Sequence, residues 1–282
     1  MNIKKIVKNA ITLLTSVEKM RQYFDYCRAS LLHGKGRLSV PYGGKIETSS
    51  FTEHWSAYNL MPDATELNLM KKRATENSIV FDIGANVGVW TVLLSRTCPS
   101  AKIHSFEPAP DTYKLLERNV LINQCLNVVA NNIAASDNDG VVAFEVPNGV
   151  SIYGRVRPEK QGQDDCGRFA HSDMYEVKCA RLSDYCEKHD IEQIDFMKID
   201  VEGFELQVLR GMEEFFMNKK VGAIYIETMK ENHIRMASSY REFLDFFGKV
   251  GYKIYTLSEG GGAQNEVTPD QVTAHNHLCV PG

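Results

Sequence analysis

Residues 80–107 read VFDIGANVGVWTVLLSRTCPSAKIHSFE, and this stretch decides the fold. An apolar run from Ile79 to Ile83 stops at Gly84, a second glycine follows at Gly88, and an amphipathic segment opens at Val89. Another apolar run then ends in the acid Glu107. The order is strand, glycine turn, helix and a second strand tipped by a carboxylate, the unit that holds the adenosine half of a nucleoside cofactor.

Outward from that unit, helical and apolar segments alternate from about residue 63. Helix 63–76 leads into strand 79–83, helix 88–97, strand 102–107, helix 110–123 with Asp111 as its N-cap, and strand 127–135. Strand 141–146 is expected to extend the sheet as a hairpin. Residues 147–173 are polar, glycine-bearing and too long for an ordinary connection, so they form an insertion of the kind that covers a site. Beyond it come strand 175–180, helix 182–189, strand 194–200, helix 203–216, strand 221–227, helix 238–248, strand 252–257 and a last strand at 277–280. Alternation of this kind implies parallel pairing with right-handed crossovers.

On the N-terminal side, residues 3–32 place apolar side chains at helical spacing opposite lysines and arginines. The stripe is expected to pack on the core or on a second subunit, giving a homo-oligomer through this helix; a membrane-surface helix is the alternative. Glycines and Pro41 at 34–44 read as a loop, and residues 46–62 hold aromatics without clear periodicity.

Composition sets the outer bounds. The chain has 282 residues, 43% of them hydrophobic, which is enough for one large α/β domain with additions. A net charge of -4 advertises no nucleic-acid partner. Seven scattered cysteines without a CxxC pair fit free thiols in a reducing cytosol. Lys8 and Glu18 interrupt the N-terminal apolar stretch, and no run approaches the ~18 apolar residues of a spanning helix. The expectation is a soluble, cytoplasmic protein without a transmembrane segment.

Nicotinamide and flavin folds use GxGxxG because two phosphates sit on bare backbone N–H groups at a helix N-terminus. Here the loop runs Asp82, Ile83, Gly84, Ala85, Asn86, Val87, Gly88, a DxGxxxG pattern. An aspartate at its mouth would repel a pyrophosphate but suits an ammonium and a sulfonium, the two positive charges of S-adenosylmethionine. Glu107, 25 residues after Asp82, stands where a carboxylate accepts hydrogen bonds from both ribose hydroxyls. Ala134, Ala135 and Ser136 are small enough for an adenine ring to lie against the backbone, with Asp137 near its exocyclic amine. The same Ser-Asp-Asn-Asp-Gly run also reads as an ordinary turn.

A second acidic group follows the fourth strand, in IDFMKIDVEGFELQVLRG at 194–211. Ligands bind outside the carboxyl ends of strands in an open parallel sheet, so Asp200 and Glu202 point to the same crevice as Asp82 and Glu107. Glu205 reads as a residue favouring the helix N-terminus. The next strand ends in Glu227. Three carboxylates at adjacent strand ends serve as a general base for a hydroxyl or gather a hard cation such as Mg²⁺; both alternatives stay open, and no metal ligand set is assigned. His171, His233, His275 and His277 are spare base candidates.

VFDIGANVGVWT, HSFEPAPDTYKLLERNV, NIAASDNDG and RLSDYC leading into IDFMKIDVEGFELQVLRG, in this order, resemble the FkbM family of S-adenosylmethionine-dependent methyltransferases from about residue 63 to the C-terminus. The resemblance implies a class I methyltransferase fold, α/β and Rossmann-like. Its sheet has seven mostly parallel strands, the last antiparallel, with helices on both faces. It divides the chain into an N-terminal helical extension, 1–62, and a methyltransferase domain, 63–282. It further implies methyl transfer to oxygen, on hydroxyls of sugars, glycans or natural products, with S-adenosylhomocysteine as product. By motif match, Asp82, Gly84, Asn86, Gly88 and Glu107 carry over as cofactor contacts, and Asp200, Glu202 and Glu227 as the acidic wall facing the acceptor. Residues 1–62 and the insertion 147–173, a cover for the acceptor site, lie outside the family pattern and are where acceptor choice is expected to reside.

Three rival functions remain. One is an RNA ribose 2'-O-methyltransferase, which Arg155, Arg157, Lys160 and Arg168 of the insertion keep open. The others are an NAD-linked oxidoreductase, disfavoured by the loop spacing and Asp82, and a non-catalytic cofactor-binding protein. The expected partner is a small-molecule or glycan acceptor, with no nucleic acid.

Overall fold

In the computed structural model of the chain, residues 17–31, 36–147, 149–157, 172–228, 240–267 and 276–282 are described. Strands β3 (Ile79–Ile83), β4 (Lys102–Phe106), β5 (Val128–Asn131), β10 (Phe196–Ile199), β11 (Ile224–Glu227), β12 (Tyr252–Leu257), β13 (Ala263–Glu266) and β14 (Asn276–Pro281) form one sheet. Their order is β13-β12-β14-β11-β10-β3-β4-β5. β5, β4, β3, β10 and β11 pair in parallel, whereas β14 is antiparallel to both of its neighbours, β11 and β12. These seven strands are the expected class I methyltransferase sheet. The exposed strand β13 adds an eighth, at the edge beside β12.

Both faces are covered, so the central strands are apolar runs rather than alternating ones. On one face Phe81, Ile83, Met197, Ile199, Ile224 and Ile226 pack against Leu206, Leu209, Phe243 and Phe247. On the other, Val80, Phe196 and Tyr225 pack against Val92, Leu93 and Leu94 of helix α4 (Val89–Thr97). Trp90 stacks on Tyr225 with centroids 5.2 Å apart.

The predicted strand 127–135 is two strands. Asn131 donates to Ser105 O (3.2 Å), and Asn132 donates to Glu107 O and Pro108 O (2.9 Å each), so side-chain amides replace the ladder at the end of β4. The chain then leaves the main sheet, and β6 (Ala134–Ser136) joins β7 (Gly140–Pro147), β8 (Arg155–Val156) and β9 (Ser172–Arg181) in a second sheet ordered β6-β9-β7-β8. β7 therefore pairs antiparallel with β9 instead of extending the main sheet as expected. Part of the predicted insertion is also ordered, as a 3-10 turn at Ser151–Tyr153 and as β8; residues 158–171, with Lys160 and Arg168, lie outside the described residues.

Three further expectations are corrected. The helix expected at 203–216 is split into α7 (Glu205–Arg210) and α8 (Glu213–Met217). The break falls at Gly211, where an added Cβ would stand 1.9 Å from Ser136 O. Asp111 is not the N-cap of α5 (Pro110–Ile122): Ala109 holds that place and Asp111 lies in the first turn, because Pro110 fixes the helical φ at N1. The loop and aperiodic stretch at 34–62 contain a hairpin of β1 (Gly36–Val40) and β2 (Gly44–Thr48), and a helix, α2 (Phe51–Asn59). The buried face of α2 is His54, Ser56 and Ala57, polar and small, so it carries no hydrophobic period. Residues 17–31 form helix α1, and α3 (Ala64–Arg73) starts with a capping box between Asp63 and Glu66.

The hairpin is fastened to the glycine turn. Asn119 of α5 accepts from Glu47 N (2.7 Å) and donates to Val87 O (2.8 Å). Arg37 and Arg118 both donate to Glu47, at 2.7 and 3.0 Å.

Candidate active site

The carboxyl ends of β3, β4, β10 and β11 open on a cavity of about 210 Å³. Ile83, Gly84, Asn86, Glu107, Ala134, Ala135, Asp200, Glu202 and Glu227 line it, and Phe144, Ser151, Ile152, Gly154 and Val156 of the second sheet and its 3-10 turn close it. Asn59 and Leu60, at the end of α2, complete the wall.

The turn after β3 reverses tightly. Gly84, Asn86 and Gly88 have φ of 77°, 51° and 91°, a region in which side chains other than glycine, asparagine and aspartate are costly. Gly84 is required twice over, since an added Cβ would stand 1.8 Å from Asp200 O. Glu107 holds the turn from below: its carboxylate accepts from Asn86 N (3.0 Å) and Ala109 N (2.9 Å). Both oxygens keep further lone pairs for a diol. Burial raises the Glu107 carboxyl to about 7, against the pull of those two N–H groups. A carboxylate fixed by backbone donors at the mouth of a small-residue floor, Ala134 and Ala135, fits the ribose and base of S-adenosylmethionine. Ser151 donates to Asn86 Oδ1 (3.0 Å), tying the second sheet to the turn.

Across the cavity stand Asp200, Glu202 and Glu227, each offering a carboxylate oxygen within 4.8 Å of the others. Glu202 adopts φ 53°, strained for a glutamate, and Gly203 beside it φ 105°. Glu205 secures this bend by accepting from Gly203 N (2.9 Å); it is buried and structural, as the sequence suggested. Burial, then Asp200 and Glu202, raise the Glu227 carboxyl to about 9. So close a set of acids holds either protons or a hard cation.

Three residues of the expected cofactor set do not line the cavity. Asp82 is fully enclosed on the α4 side of β3, where it accepts from Thr91 Oγ1 (2.6 Å). Burial raises its pKa above the ordinary carboxylate value in spite of Lys198 and Thr91. Asp82 was expected at the mouth of the crevice, but strand alternation points its side chain away from the opening and it does not line the cavity. Gly88 serves as packing space, its missing Cβ facing Leu116 Cδ1 at 2.7 Å. Ser136 is buried and turns to Asn138 Oδ1 (3.0 Å). Of the spare histidines, His277 is buried beside Tyr240 and off the cavity; His171, His233 and His275 lie outside the described residues.

The residue that sequence reasoning missed is Lys198. It is the neighbour of Asp82 across the β3–β10 ladder and is almost wholly buried. Its Nζ donates to Gly84 O (2.9 Å) and lies 3.2 Å from Asp200 Oδ2 and 3.7 Å from Asp82 Oδ1. Burial works against its charge, but Asp200 and Asp82 outweigh it and hold the ammonium above its ordinary value. The signal was a lone lysine in the buried strand FMKI, where a charge requires a partner.

Comparison with known proteins agrees with this geometry. A sequence profile described as Methyltransferase FkbM domain matches residues 82–254. The chain is 31% identical over 180 residues to Methyltransferase sdnD of Sordaria araneosa, covering 56% of this chain and 69% of that protein. It is 25% identical over 202 residues to the hexuronic acid methyltransferase AglP of Haloferax volcanii, covering 72% and 78%. It is 27% identical over 156 residues to the 31-O-demethyl-FK506 methyltransferase FkbM of Streptomyces tacrolimicus, covering 48% of this chain and 60% of that protein. The matched segment spans the glycine turn, Glu107, Lys198 and the acidic wall, and the chain belongs to the FkbM family of S-adenosylmethionine-dependent methyltransferases.

Proposed function

We propose that the protein methylates a hydroxyl oxygen of a sugar, glycan or natural-product acceptor. The observation that carries this reading is one cavity with Glu107 and the glycine turn at one end and Asp200, Glu202 and Glu227 at the other. The first set suits a nucleoside, the second an acceptor hydroxyl. Bound S-adenosylmethionine supplies a methyl group on a positively charged sulfur. The chain's part is to hold donor and hydroxyl in line in a water-poor cavity and to receive the proton as the oxygen–carbon bond forms and the carbon–sulfur bond breaks. Lys198 pairs with Asp200, and unprotonated Glu227, whose proton affinity is high, takes the hydroxyl proton. The substrates named for AglP and FkbM, a hexuronic acid and 31-O-demethyl-FK506, support an oxygen acceptor of this class.

The same three carboxylates support a second arrangement, in which Asp200, Glu202 and Glu227 would hold a divalent cation such as Mg²⁺, which would supply positive charge beside the acceptor oxygen. Dialysis against EDTA separates the two: proton transfer to Glu227 alone predicts unchanged turnover, whereas a loss restored by Mg²⁺ favours the cation.

Acceptor choice is assigned to the N-terminal 62 residues and the 147–173 segment, outside the methyltransferase core, because Asn59, Leu60, Ser151, Ile152 and Gly154 border the cavity. The exposed Val17, Met20, Phe24 and Leu31 of α1 support a homo-oligomer through that helix. The six cysteines among the described residues are free thiols, which supports a reducing, cytoplasmic setting. Among the described residues no helix is long and apolar enough to cross a membrane.

The test is transfer of labelled methyl from S-adenosylmethionine to a panel of uronic acid glycosides, neutral oligosaccharides, macrolide alcohols and RNA. Label in a sugar or macrolide hydroxyl, lost in Asp200→Asn and Glu227→Gln, supports the proposal. Label in RNA alone would replace it with ribose 2'-O-methylation.

A further inference from the structure

The 3-10 turn Ser151–Tyr153 reaches the cavity from the second sheet as a small folded unit. Tyr153 N donates to Val150 O and Gly154 N to Ser151 O, both at 3.0 Å. Arg157 N then donates to Ala143 O (2.8 Å), which fastens the end of β8 to β7. Gly154 lies against the Phe144 ring, where an added Cβ would stand 3.2 Å from Cε1. Ser151, Ile152 and Gly154 line the cavity, and the turn packs on α2, whose Asn59 and Leu60 line it as well.

The Ser151 side chain leaves this unit for the glycine turn. It is buried, and its hydroxyl donates to Asn86 Oδ1 at 3.0 Å, 65 residues away in the chain. Val87 N donates to the same atom at 2.8 Å, and a backbone N–H needs an acceptor, so that atom is the amide oxygen. Asn86 Nδ2 is then the remaining group, without a hydrogen bond among the described residues, on a side chain that lines the cavity. Asn86 N meanwhile donates to Glu107 Oε2 at 3.0 Å.

These contacts run in series from the nucleoside end of the cavity to the turn at 151–154. A side-chain amide is planar like the peptide group, so its oxygen and nitrogen turn together. A ligand that engages Nδ2, or that fixes Glu107 and with it Asn86 N, therefore steadies Oδ1, and Oδ1 steadies Ser151. Hydrogen bonds in such a chain polarise one another. Ordering one end reduces what must be ordered at the other, which is positive coupling between sites.

We propose that Ser151 is a positioning residue that couples the two ends of the cavity. A donor at the glycine turn orders residues 151–154, and the ordered turn in return tightens the donor. The acceptor wall is thus completed by donor binding, and the donor adds first. The inference rests on the reading of the glycine turn as the S-adenosylmethionine site.

Hydrogen exchange of the full chain with and without saturating S-adenosylhomocysteine, beside calorimetry with the same ligand, tests it. In the native chain the ligand slows exchange at residues 152–157 at least about threefold, the equivalent of one modest hydrogen bond. In Ser151→Ala that ligand-dependent slowing is lost, and the affinity for S-adenosylhomocysteine falls about three- to tenfold, because coupling is reciprocal. Ser151→Thr keeps a hydroxyl and restores both. A merely structural serine would change exchange in Ser151→Ala equally with and without ligand.

Exchange at 152–157 that ignores the ligand in the native chain, or protection that persists in Ser151→Ala, overturns the proposal and leaves the donor site standing. Failure of S-adenosylhomocysteine to bind the native chain overturns the donor reading and the proposal together. Should Ser151→Ala lose the fold, seen as fast exchange in β3 and β4, the native comparison and Ser151→Thr still decide.

Discussion

Lys198 Nζ lies 3.2 Å from Asp200 Oδ2, and that ion pair joins the glycine turn to the acidic wall, because the same ammonium donates to Gly84 O. Lys198→Met leaves Asp82 and Asp200 without their buried counter-charge and is expected to cost about 3–5 kcal/mol. Urea denaturation checks this. Adding Asp82→Asn should recover part of the loss, since the double substitution removes both members of one buried pair. Strict additivity of the two substitutions would show that Lys198 and Asp82 are not coupled.

Glu107→Gln keeps the shape of the side chain but replaces an acceptor oxygen with a donor group facing backbone N–H groups and the ribose position. Affinity for S-adenosylhomocysteine should fall at least about tenfold, the loss of one or two hydrogen bonds to a charged acceptor. Calorimetry with the native chain as reference reads it, and circular dichroism confirms that the fold is retained. Unchanged affinity would remove Glu107 from the nucleoside site.

Two glycines give opposite expectations. Gly84→Ala puts a Cβ at 1.8 Å from Asp200 O on a backbone with φ 77°, so stability and S-adenosylhomocysteine binding should both be lost. Gly248→Ala, within α9 (Tyr240–Val250), meets no atom within 4 Å and should stabilise the chain by about 0.5–1 kcal/mol. Thermal unfolding of the two variants distinguishes backbone requirement from mere occurrence of glycine.

Glu227 makes stability depend on pH in an unusual direction. Its pKa is raised to about 9 in the folded chain from an ordinary value of 4.5. Between those values the folded state keeps a proton that the unfolded state has released, so raising the pH favours unfolding. Glu107 and Glu205, raised to about 7, act in the same sense below that point. His104, lowered to about 4, has the opposite effect only below about 6.5. Stability of the unliganded chain should therefore fall from pH 7 to pH 9, by up to about 1.4 kcal/mol per pH unit for Glu227. Glu227→Gln should flatten that slope. A native chain as stable at pH 9 as at pH 7 contradicts the assignment.

The parallel sheet was legible because β3, β4, β10 and β11 are short, mainly apolar runs, three of them followed or closed by an acid, Glu107, Asp200 and Glu227, and strand-end acids of this kind share one edge by topology. What escaped had no periodic signal. Helix α2 buries His54 and Ser56, and the departure of β6 from the main sheet is set by Asn131 and Asn132 bonding to β4, a tertiary contact. Asp82 was placed correctly along its strand and wrongly as a lining residue, because the glycine spacing fixes where a strand ends but not which face its last side chains take. The same face carries Lys198, and its role emerges only when β3 and β10 lie side by side.

The most direct test is the pH dependence of methyl transfer to an identified acceptor, in the native chain and in Glu227→Gln. If unprotonated Glu227 receives the hydroxyl proton, kcat/KM rises with pH, is half-maximal near 9 and levels off above it, and the rise disappears in Glu227→Gln together with about 10²–10⁴-fold of the rate. An identical pH profile at undiminished rate in the variant would contradict the account.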